Sequence, residues 1–148
     1  MIDFIKLAPS YQPQALSLLT ENGLPSEDFD ISSFHVIGAL SEKELLAMAA
    51  LELYEEHALL RSVAVCTDRH KTGLGTCIIK EMIKESQKLN LSKLVVLTET
   101  AEGFFNKLGF KVTDREKVPN AVRQSKEFQH ICPASAVCMT LQLKKETD

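Results

Sequence analysis

The chain has 148 residues, 45% of them hydrophobic, which is enough for one compact domain with a substantial core and too few for two ordinary domains. A net charge of −3 gives no general attraction to nucleic acid or anionic lipid, and no apolar run is long enough to cross a bilayer. Since the first residues lack the pattern of a signal peptide, we expect a single cytoplasmic domain over residues 1–148 that binds neither nucleic acid nor membrane.

The four cysteines predict reduced thiols rather than a metal site or a disulfide framework. They form no C-x-x-C pair, and no histidine stands at zinc-finger spacing, so no metal is expected. We expect Cys77 and Cys138 to be ordinary core residues. Cys132, which precedes Pro133 in a predicted turn, is expected to be more exposed.

The first half of the chain predicts a strand, a helix and a meander of three strands. Residues 2–7 alternate as in a strand, and residues 10–22 have helical spacing behind a serine N-cap. Strand patterns then cover residues 34–40, 45–54 and 58–65, with polar turns between them. The run LLAMAALEL fits a helix equally well by propensity, but its place between two turn signals favours a strand.

The second half predicts a strand–helix–strand unit, which requires parallel pairing and therefore a mixed sheet. The strand that ends at Val65 leads through a polar turn into glycines, and an amphipathic helical pattern begins at Leu74. Residues 91–97 predict a buried strand. A short helix follows within residues 98–110, closed by Gly109, and a further helix, a turn and a last strand come after it.

The junction between Val65 and Leu74 is suited to bind a diphosphate. The first N–H groups of a helix have no backbone partner, and the helix dipole adds positive charge at the same end. Gly73 and Gly75 lack the Cβ atoms that would keep phosphate away from the backbone. The spacing excludes a dinucleotide fingerprint and a Walker A loop, because Ile78 replaces the third glycine and no Lys follows Gly75. A tight turn without a ligand is the alternative.

This stretch resembles the acetyl-CoA-binding motif of the GCN5-related N-acetyltransferases (GNATs), an L-A-V-like triplet followed by Q/R-x-x-G-x-G/A. Here the triplet is VAV at residues 63–65, and the loop is HKTGLG at residues 70–75. His70 stands where the family usually has Gln or Arg, and the flanking Arg69 and Lys71 keep the loop basic.

A second GNAT motif, roughly N-x-x-A-x-x-x-Y-x-x-x-G-F, resembles residues 98–110. Thr98 stands for the usual Asn, and Phe105 stands for the usual Tyr. Two motifs in the proper order, joined by the expected helix and strand, are more specific than either alone. The resemblance implies the α/β GNAT fold, with a mixed central sheet of about seven strands, flanking helices, and a splay between strands four and five.

The resemblance also implies that acetyl-CoA is the co-substrate. The backbone of Val63 and Val65 would pair with the pantetheine amides, and the N–H groups of residues 71–76 would hold the pyrophosphate. The implied cofactor-binding residues are Val63, Ala64, Val65, His70, Lys71, Thr72, Gly73, Leu74, Gly75, Thr76 and Phe105.

In this family an amine attacks the thioester directly, so an ammonium must lose its proton and a thiolate must be stabilised as it leaves. Glu99, just beyond the fifth strand, is the first candidate base, and Glu52 is the second. For each, a solvated surface carboxylate is the alternative. Phe105 has no proton to give the thiolate, which leaves Tyr54, if its strand brings it to the site, or water.

Two arginines are the candidate substrate-binding residues. Arg61 stands in an otherwise apolar strand, and a buried arginine needs an anionic partner. That partner is either a carboxylate of the protein or a carboxylate or oxyanion of the substrate. Arg123 would add positive charge on the acceptor side, although helix-surface cations are usually solvated.

The C-terminal residues 118–143 resemble a small bacterial GNAT subgroup linked to arsenic resistance and, more distantly, the acetyltransferase domain of N-acetylglutamate synthases. The implied function is transfer of an acetyl group from acetyl-CoA to the primary amine of a small molecule, an amino acid or a toxic amine analogue. The alternatives are a CoA-binding module without catalysis and an arsenical binder that uses Cys132 and Cys138. The oligomeric state is open, and a homodimer is one alternative.

Overall fold

The computed structural model describes residues 1–125, 128–129 and 136–143, in which seven strands and four α-helices are present. The strands are β1 (Asp3–Lys6), β2 (His35–Ser41), β3 (Glu44–Tyr54), β4 (His57–Val65), β5 (Lys93–Thr98), β6 (Lys111–Val112) and β7 (Val137–Gln142). The helices are α1 (Gln12–Glu21), α2 (Leu74–Lys88), α3 (Glu102–Lys107) and α4 (Asn120–Arg123). No helix in this described part is long and apolar enough to cross a membrane.

The strands form a mixed sheet in the order β1-β2-β3-β4-β5-β7-β6. β1 and β3 both pair with β2 in antiparallel fashion, and β7 pairs antiparallel with β5 and with β6. β4 and β5 are parallel, with a register that runs from His57↔Lys93 to Leu60↔Val96. The predicted mixed sheet is therefore confirmed, and the parallel pair lies where the family fold has its splay.

The run LLAMAALEL forms most of β3, so the helical alternative is wrong. Residues 45–51 are buried without interruption, because both faces of this strand are covered. Strands buried on both faces have continuous apolar sequences rather than alternating ones. Such a run lacks the period of two that would have identified it as a strand.

The described residues form two compact units: those within 1–52 and 61–85, and those within 53–60 and 86–148. The core of the first unit is built by α1, by β2 to β4 and by the segment before β2, and includes Leu19, Phe29 and Met48. The core of the second unit includes Leu59, Val95 and Val122.

Two local predictions are wrong. Ser10 is not the N-cap of α1, since residues 9–11 form a 3₁₀ turn and no side-chain hydrogen bond caps the helix. Pro13 lies in the first turn of α1 and has no N–H that a cap would satisfy. Cys77 is exposed rather than in the core, because the buried face of α2 is centred on Ile78 and Met82.

The other cysteine predictions have different outcomes. Cys138 is buried in the core of the second unit, as predicted. Cys132 lies outside the described residues.

Gly38 in β2 provides a test of core packing. A Cβ atom at this position would lie 2.5 Å from Leu7 Cδ2 and 2.8 Å from Leu45 Cδ1, and both leucines are buried. Gly38→Ala should therefore lower the free energy of unfolding by about 1–3 kcal/mol, as measured by urea denaturation.

Gly103→Ala is the matched control. Gly103 lies in α3, and a Cβ atom there would meet nothing within 4 Å. Its free energy of unfolding should stay the same or rise by up to about 1 kcal/mol, because alanine is the better helix former. Equal stability of Gly38→Ala and the unaltered protein would contradict the packing described for β2.

Candidate active site

The predicted diphosphate loop lies in the first unit, between β4 and α2. β4 leads into a 3₁₀ turn at Thr67–Arg69, after which the chain reverses and α2 begins at Leu74. The reversal places Lys71 at φ 66° and Gly73 at φ 87°. Gly73 adopts this left-handed conformation without strain. Residues 67–73 are exposed, so a ligand can approach the backbone at this turn.

Several backbone donors at this turn have no acceptor among the described residues. In the described part of the chain, no group accepts a hydrogen bond from the N–H of Lys71, Gly73, Leu74, Gly75 or Thr76. Thr72 differs, because its N–H donates to the Arg69 carbonyl at 3.3 Å and its hydroxyl donates to the same oxygen at 2.6 Å. The N–H groups that are available to bind an anion are therefore those predicted, at residues 71–76, with the exception of Thr72.

The end of β4 presents one backbone edge away from β3. The N–H of Cys66 donates to the Leu46 carbonyl of β3 at 2.8 Å. Because successive residues of a strand direct their N–H and C=O groups to opposite sides, Ala64 faces β3, whereas Val63 and Val65 face away from it. Val63 and Val65 are therefore the residues whose backbone can meet a bound chain.

The carbonyl of Val65 is already occupied. It accepts one hydrogen bond from Asn22 Nδ2 at 3.0 Å and one from His70 Nε2 at 2.8 Å. A carbonyl oxygen has two lone pairs, so the group that Val65 offers to a ligand is its N–H. The predicted pairing of Val65 with the pantetheine arm can therefore involve only the Val65 N–H.

Ser62 has an unusual backbone conformation just before this edge. Its φ of 54° is uncommon for a residue with a side chain inside a strand. A left-handed residue of this kind is typical of a β-bulge, which interrupts the alternation along the strand. No glycine marks the position, so nothing in the sequence indicated this left-handed conformation.

Arg61 is buried in the first unit with two carboxylates. Its side chain is 2% exposed, its Nη2 lies 2.6 Å from Asp28 Oδ1, and its Nη1 lies 3.0 Å from Glu52 Oε1. The ring of Phe34 covers the guanidinium at 4.7 Å from Cζ. Of the two predicted kinds of partner for Arg61, the structure shows carboxylates of the protein itself. It thereby brings two predicted site residues, Arg61 and Glu52, into contact.

Sequence reasoning missed two residues of this arrangement. Asp28 lies in an irregular acidic segment between α1 and β2, where nothing distinguishes it from its exposed neighbour Glu27. Phe34 precedes β2 by one residue and has an ordinary apolar context. The sequence indicated only that Arg61, if buried, needs an anionic partner, and not which residue provides it.

In the second unit, Glu99 is exposed and follows β5 directly. Thr98, which replaces the family Asn, is buried, and its Oγ1 accepts a hydrogen bond from the Ala101 N–H at 3.0 Å. This contact fixes the turn that precedes α3. The role of Glu99 as a base stays a prediction.

The aromatic residues of the second motif form part of the core. Phe105 is 4% exposed and makes edge-to-face contacts with Phe104 and Phe110, at ring-centre distances of 5.1 Å and 5.3 Å. Tyr54 is half-buried and packs against the hydrophobic cluster of this unit. A contact of Phe105 with the cofactor and a proton-donating role of Tyr54 both stay predictions.

Arg123 and Arg115 of the second unit differ in their partners. Arg115 donates from Nη2 to the Ala136 carbonyl at 2.8 Å and lies over the Phe128 ring at 5.4 Å. Arg123 Nη2 makes a long contact of 3.4 Å with Asn120 Oδ1. Its Nε is buried and has no acceptor among the residues that the structure describes. A buried donor without an acceptor is costly, so Arg123 is suited to receive an anionic group.

Two cysteine thiols, those of Cys66 and Cys138, have raised pKa values. Burial, followed by a 3.0 Å hydrogen bond from Sγ to Asp68 Oδ1, raises the pKa of Cys66 to about 11. Burial also raises the pKa of Cys138. Since the thiolate is the reactive form, neither thiol is activated as a nucleophile. The described residues contain no cluster of three or more His, Cys, Asp or Glu side chains that could hold a metal.

Comparison with curated proteins gives relatives of much greater length. The amino-acid acetyltransferase of Mannheimia succiniciproducens is 26% identical over 114 residues, which are 76% of this chain and 26% of that protein. The amino-acid acetyltransferase of Actinobacillus pleuropneumoniae is 28% identical in an alignment 141 residues long that covers 86% of this chain and 31% of that protein. The chain thus spans only a quarter to a third of the length of these relatives.

Solved structures share the fold at low sequence identity. N-acetylglutamate synthase from Neisseria gonorrhoeae, complexed with coenzyme A and N-acetyl-glutamate, has a TM-score of 0.82 at 17% identity, over 98% of this chain and 36% of that chain. Rv2747 from Mycobacterium tuberculosis, in complex with CoA, has a TM-score of 0.78 at 19% identity, over 96% of this chain and 99% of that chain.

A match to a family profile identifies the family of this chain. The profile of the acetyltransferase (GNAT) domain matches residues 32–112, which include β2 to β5, the glycine loop and α2. The match covers more than half of the chain, and the mixed seven-stranded sheet agrees with it. This chain therefore belongs to the acetyltransferase (GNAT) domain family.

Proposed function

We propose that the protein is an acetyl-CoA-dependent N-acetyltransferase that acetylates the primary amine of a small molecule by direct attack on the thioester. The observation that carries this proposal is the set of N–H groups at the start of α2 that have no acceptor among the described residues, next to the edge of β4 that faces away from β3. The family match supports the reaction class. The CoA complexes of the Neisseria synthase and of Rv2747 support the cofactor.

The proposed cofactor position follows from the direction of β4. The pyrophosphate lies against the N–H groups of Lys71 and of residues 73–76, where the dipole of α2 favours negative charge. The pantetheine arm runs back along β4 and meets the backbone of Val65 and then of Val63. Its thioester end then lies near Ser62, so the acceptor amine must reach this part of β4.

Glu52 and Glu99 are the proposed bases. An alkylamine has a pKa of about 10.4 and is mostly protonated near neutral pH, so a carboxylate or a water chain must take its proton. Glu52 forms an ion pair with Arg61. Because Arg61 immediately precedes Ser62, this ion pair supports a position of Glu52 near the proposed thioester end. Glu99 is exposed at the end of β5 and is free to contact solvent or substrate.

The acceptor is proposed to be an amino acid or a toxic amine analogue. The name of the curated relatives, amino-acid acetyltransferase, supports the amino acid. Arg123 offers a buried donor to an acceptor carboxylate or oxyanion. A substrate-binding role for Arg61 requires that the acceptor displace or extend the contacts with Asp28 and Glu52. Membership of the arsenic-resistance-linked subgroup is a narrower proposal, for which an amine-bearing arsenical is the acceptor to test.

A CoA-binding module without catalysis is the second candidate. The observation that favours it is Phe105, which stands where the family has a proton-donating Tyr and which is packed in the core. A thiolate whose conjugate thiol has a pKa of about 8.5 leaves more slowly when no acid protonates it than when one does. The two candidates differ in turnover but not in cofactor binding.

Turnover therefore decides between them. Incubation with acetyl-CoA and a panel of amino acids and alkylamines should release free CoA thiol at a rate that depends on the added amine. We expect saturable release with at least one amine, followed by detection of its N-acetyl product. Tight CoA binding without amine-dependent release across the panel would support the module instead.

Substitution of Gly73 tests the cofactor position. Gly73→Glu places an anion where the pyrophosphate is proposed to lie, and nothing lies within 4 Å of the added Cβ atom to hinder the side chain sterically. CoA binding measured by calorimetry should fall below detection, because like charges at short distance repel strongly.

Gly73→Lys is the control, since it imposes the same strained φ of 87° with the opposite charge. It should bind CoA at least tenfold more tightly than Gly73→Glu does, which corresponds to about 1.4 kcal/mol. Equal affinities for the two variants would place the pyrophosphate elsewhere.

Asp28→Asn tests whether Arg61 has a structural role. The substitution removes a charge from a buried ion pair of 2.6 Å, so the free energy of unfolding should fall by about 1–3 kcal/mol in urea denaturation. Glu27→Gln, at the exposed neighbouring position, should change it by no more than about 0.5 kcal/mol. Unchanged stability of Asp28→Asn, with a raised KM for the acceptor, would assign Arg61 and Asp28 to substrate binding instead.

A further inference from the structure

The carbonyl of Val65 joins three elements of the first unit. It accepts from Asn22, the residue that ends α1, and from His70, the first residue of the glycine loop. Asn22 Nδ2 also donates to the Leu18 carbonyl at 2.9 Å, so both of its amide hydrogens are directed at acceptors. Glu21 supports the same junction, since its Oε2 accepts from the Thr67 N–H at 2.5 Å.

The chemistry of these contacts fixes which atoms donate. The carbonyls of Leu18 and Val65 can only accept, so the Asn22 atom that faces them is the amide nitrogen rather than the oxygen. For the same reason, His70 Nε2 carries a hydrogen in every protonation state that keeps this contact. Both side chains act on Val65 as donors.

Two donors on one oxygen fix the plane of the peptide that follows Val65 and hold this end of β4 in place. With its C=O directed at Asn22 and His70, Val65 keeps its N–H on the strand edge that faces away from β3. This N–H is the group that the proposed pantetheine arm would meet.

We propose that Asn22 and His70 are positioning residues for acetyl-CoA, which hold the end of β4 so that the Val65 N–H is presented to the pantetheine arm. This inference rests on the proposed function. Neither residue needs to touch the reacting atoms. The family usually has Gln or Arg in place of His70, and a Gln amide can donate to the same carbonyl. The requirement at both positions is a hydrogen-bond donor, not a particular side chain.

The test compares a ligand that has the pantetheine arm with one that lacks it. Calorimetry with CoA should give a dissociation constant about 2–10-fold higher for Asn22→Ala than for the unaltered protein, because the Val65 carbonyl loses one of its two donors. Asn22→Asp should lose more, because a carboxylate of similar shape faces two carbonyls and cannot donate. Binding of ADP, which has the pyrophosphate but no arm, should change less than twofold in either variant.

His70 provides the rescue experiment. His70→Ala should weaken CoA binding, whereas His70→Gln should restore it to within about twofold, because the donor is restored. In steady-state assays the same variants should change the KM for acetyl-CoA and leave the KM for the acceptor unaltered. Urea denaturation of each variant identifies any loss that comes from unfolding, and Asn22→Ala and His70→Gln supply the comparison if Asn22→Asp does not fold.

The outcomes separate the two proposals. If the unaltered protein binds no CoA, the proposed function fails, and the positioning role fails with it. If it binds CoA, and Asn22→Ala and His70→Ala bind CoA as tightly, the positioning role is overturned while the proposed function stands. A parallel loss of CoA and ADP binding would also overturn it, since the effect would then not pass through the pantetheine arm.

Discussion

The turn from β4 into α2 is the constraint on which the rest of the proposed site depends. A helix of 15 residues begins there with N–H groups that the described protein leaves unpaired, at an exposed surface and at the positive end of the helix dipole. Gly73 allows the chain to turn here, because glycine adopts a positive φ without strain. Asn22 and His70 bind the carbonyl just before the turn, so the strand edge and the loop are held together. In the proposed complex, the pyrophosphate binds at this turn and the pantetheine arm runs along β4.

The second constraint is the buried charge of Arg61. A guanidinium that is 2% exposed must be compensated, and Asp28 and Glu52 do so from the segment before β2 and from β3. This ion pair joins the segment between α1 and β2 to the middle of the sheet. In the proposed reaction it also holds Glu52 beside the part of β4 that the thioester reaches. Arg61, predicted to bind substrate, thus has a structural reason for its burial, and it holds Glu52, which is the proposed base of the first unit.

Features with a strong local signal could be predicted from the sequence, and features set by tertiary contacts could not. The glycine loop, the amphipathic face of α2 and the strand–helix–strand order follow from spacing alone. The LLAMAALEL run could be assigned only from its flanking turns, because a strand buried on both faces has no alternation. The donor role of Asn22, the left-handed conformation of Ser62 and the engaged N–H of Thr72 depend on tertiary contacts that no local pattern specifies. The exposure of Cys77 depends on how α2 is rotated against the sheet, which a broad apolar face does not fix.

Backbone amide chemical shifts during a CoA titration test the central claim most directly. In a 15N-labelled sample, the account predicts that the largest shifts occur at Lys71, Gly73, Leu74, Gly75 and Thr76, together with Val65, and that Thr72 shifts less because its N–H is already engaged. ADP should reproduce the shifts of the loop but not that of Val65. Saturable CoA binding that leaves these amides unshifted would contradict the account.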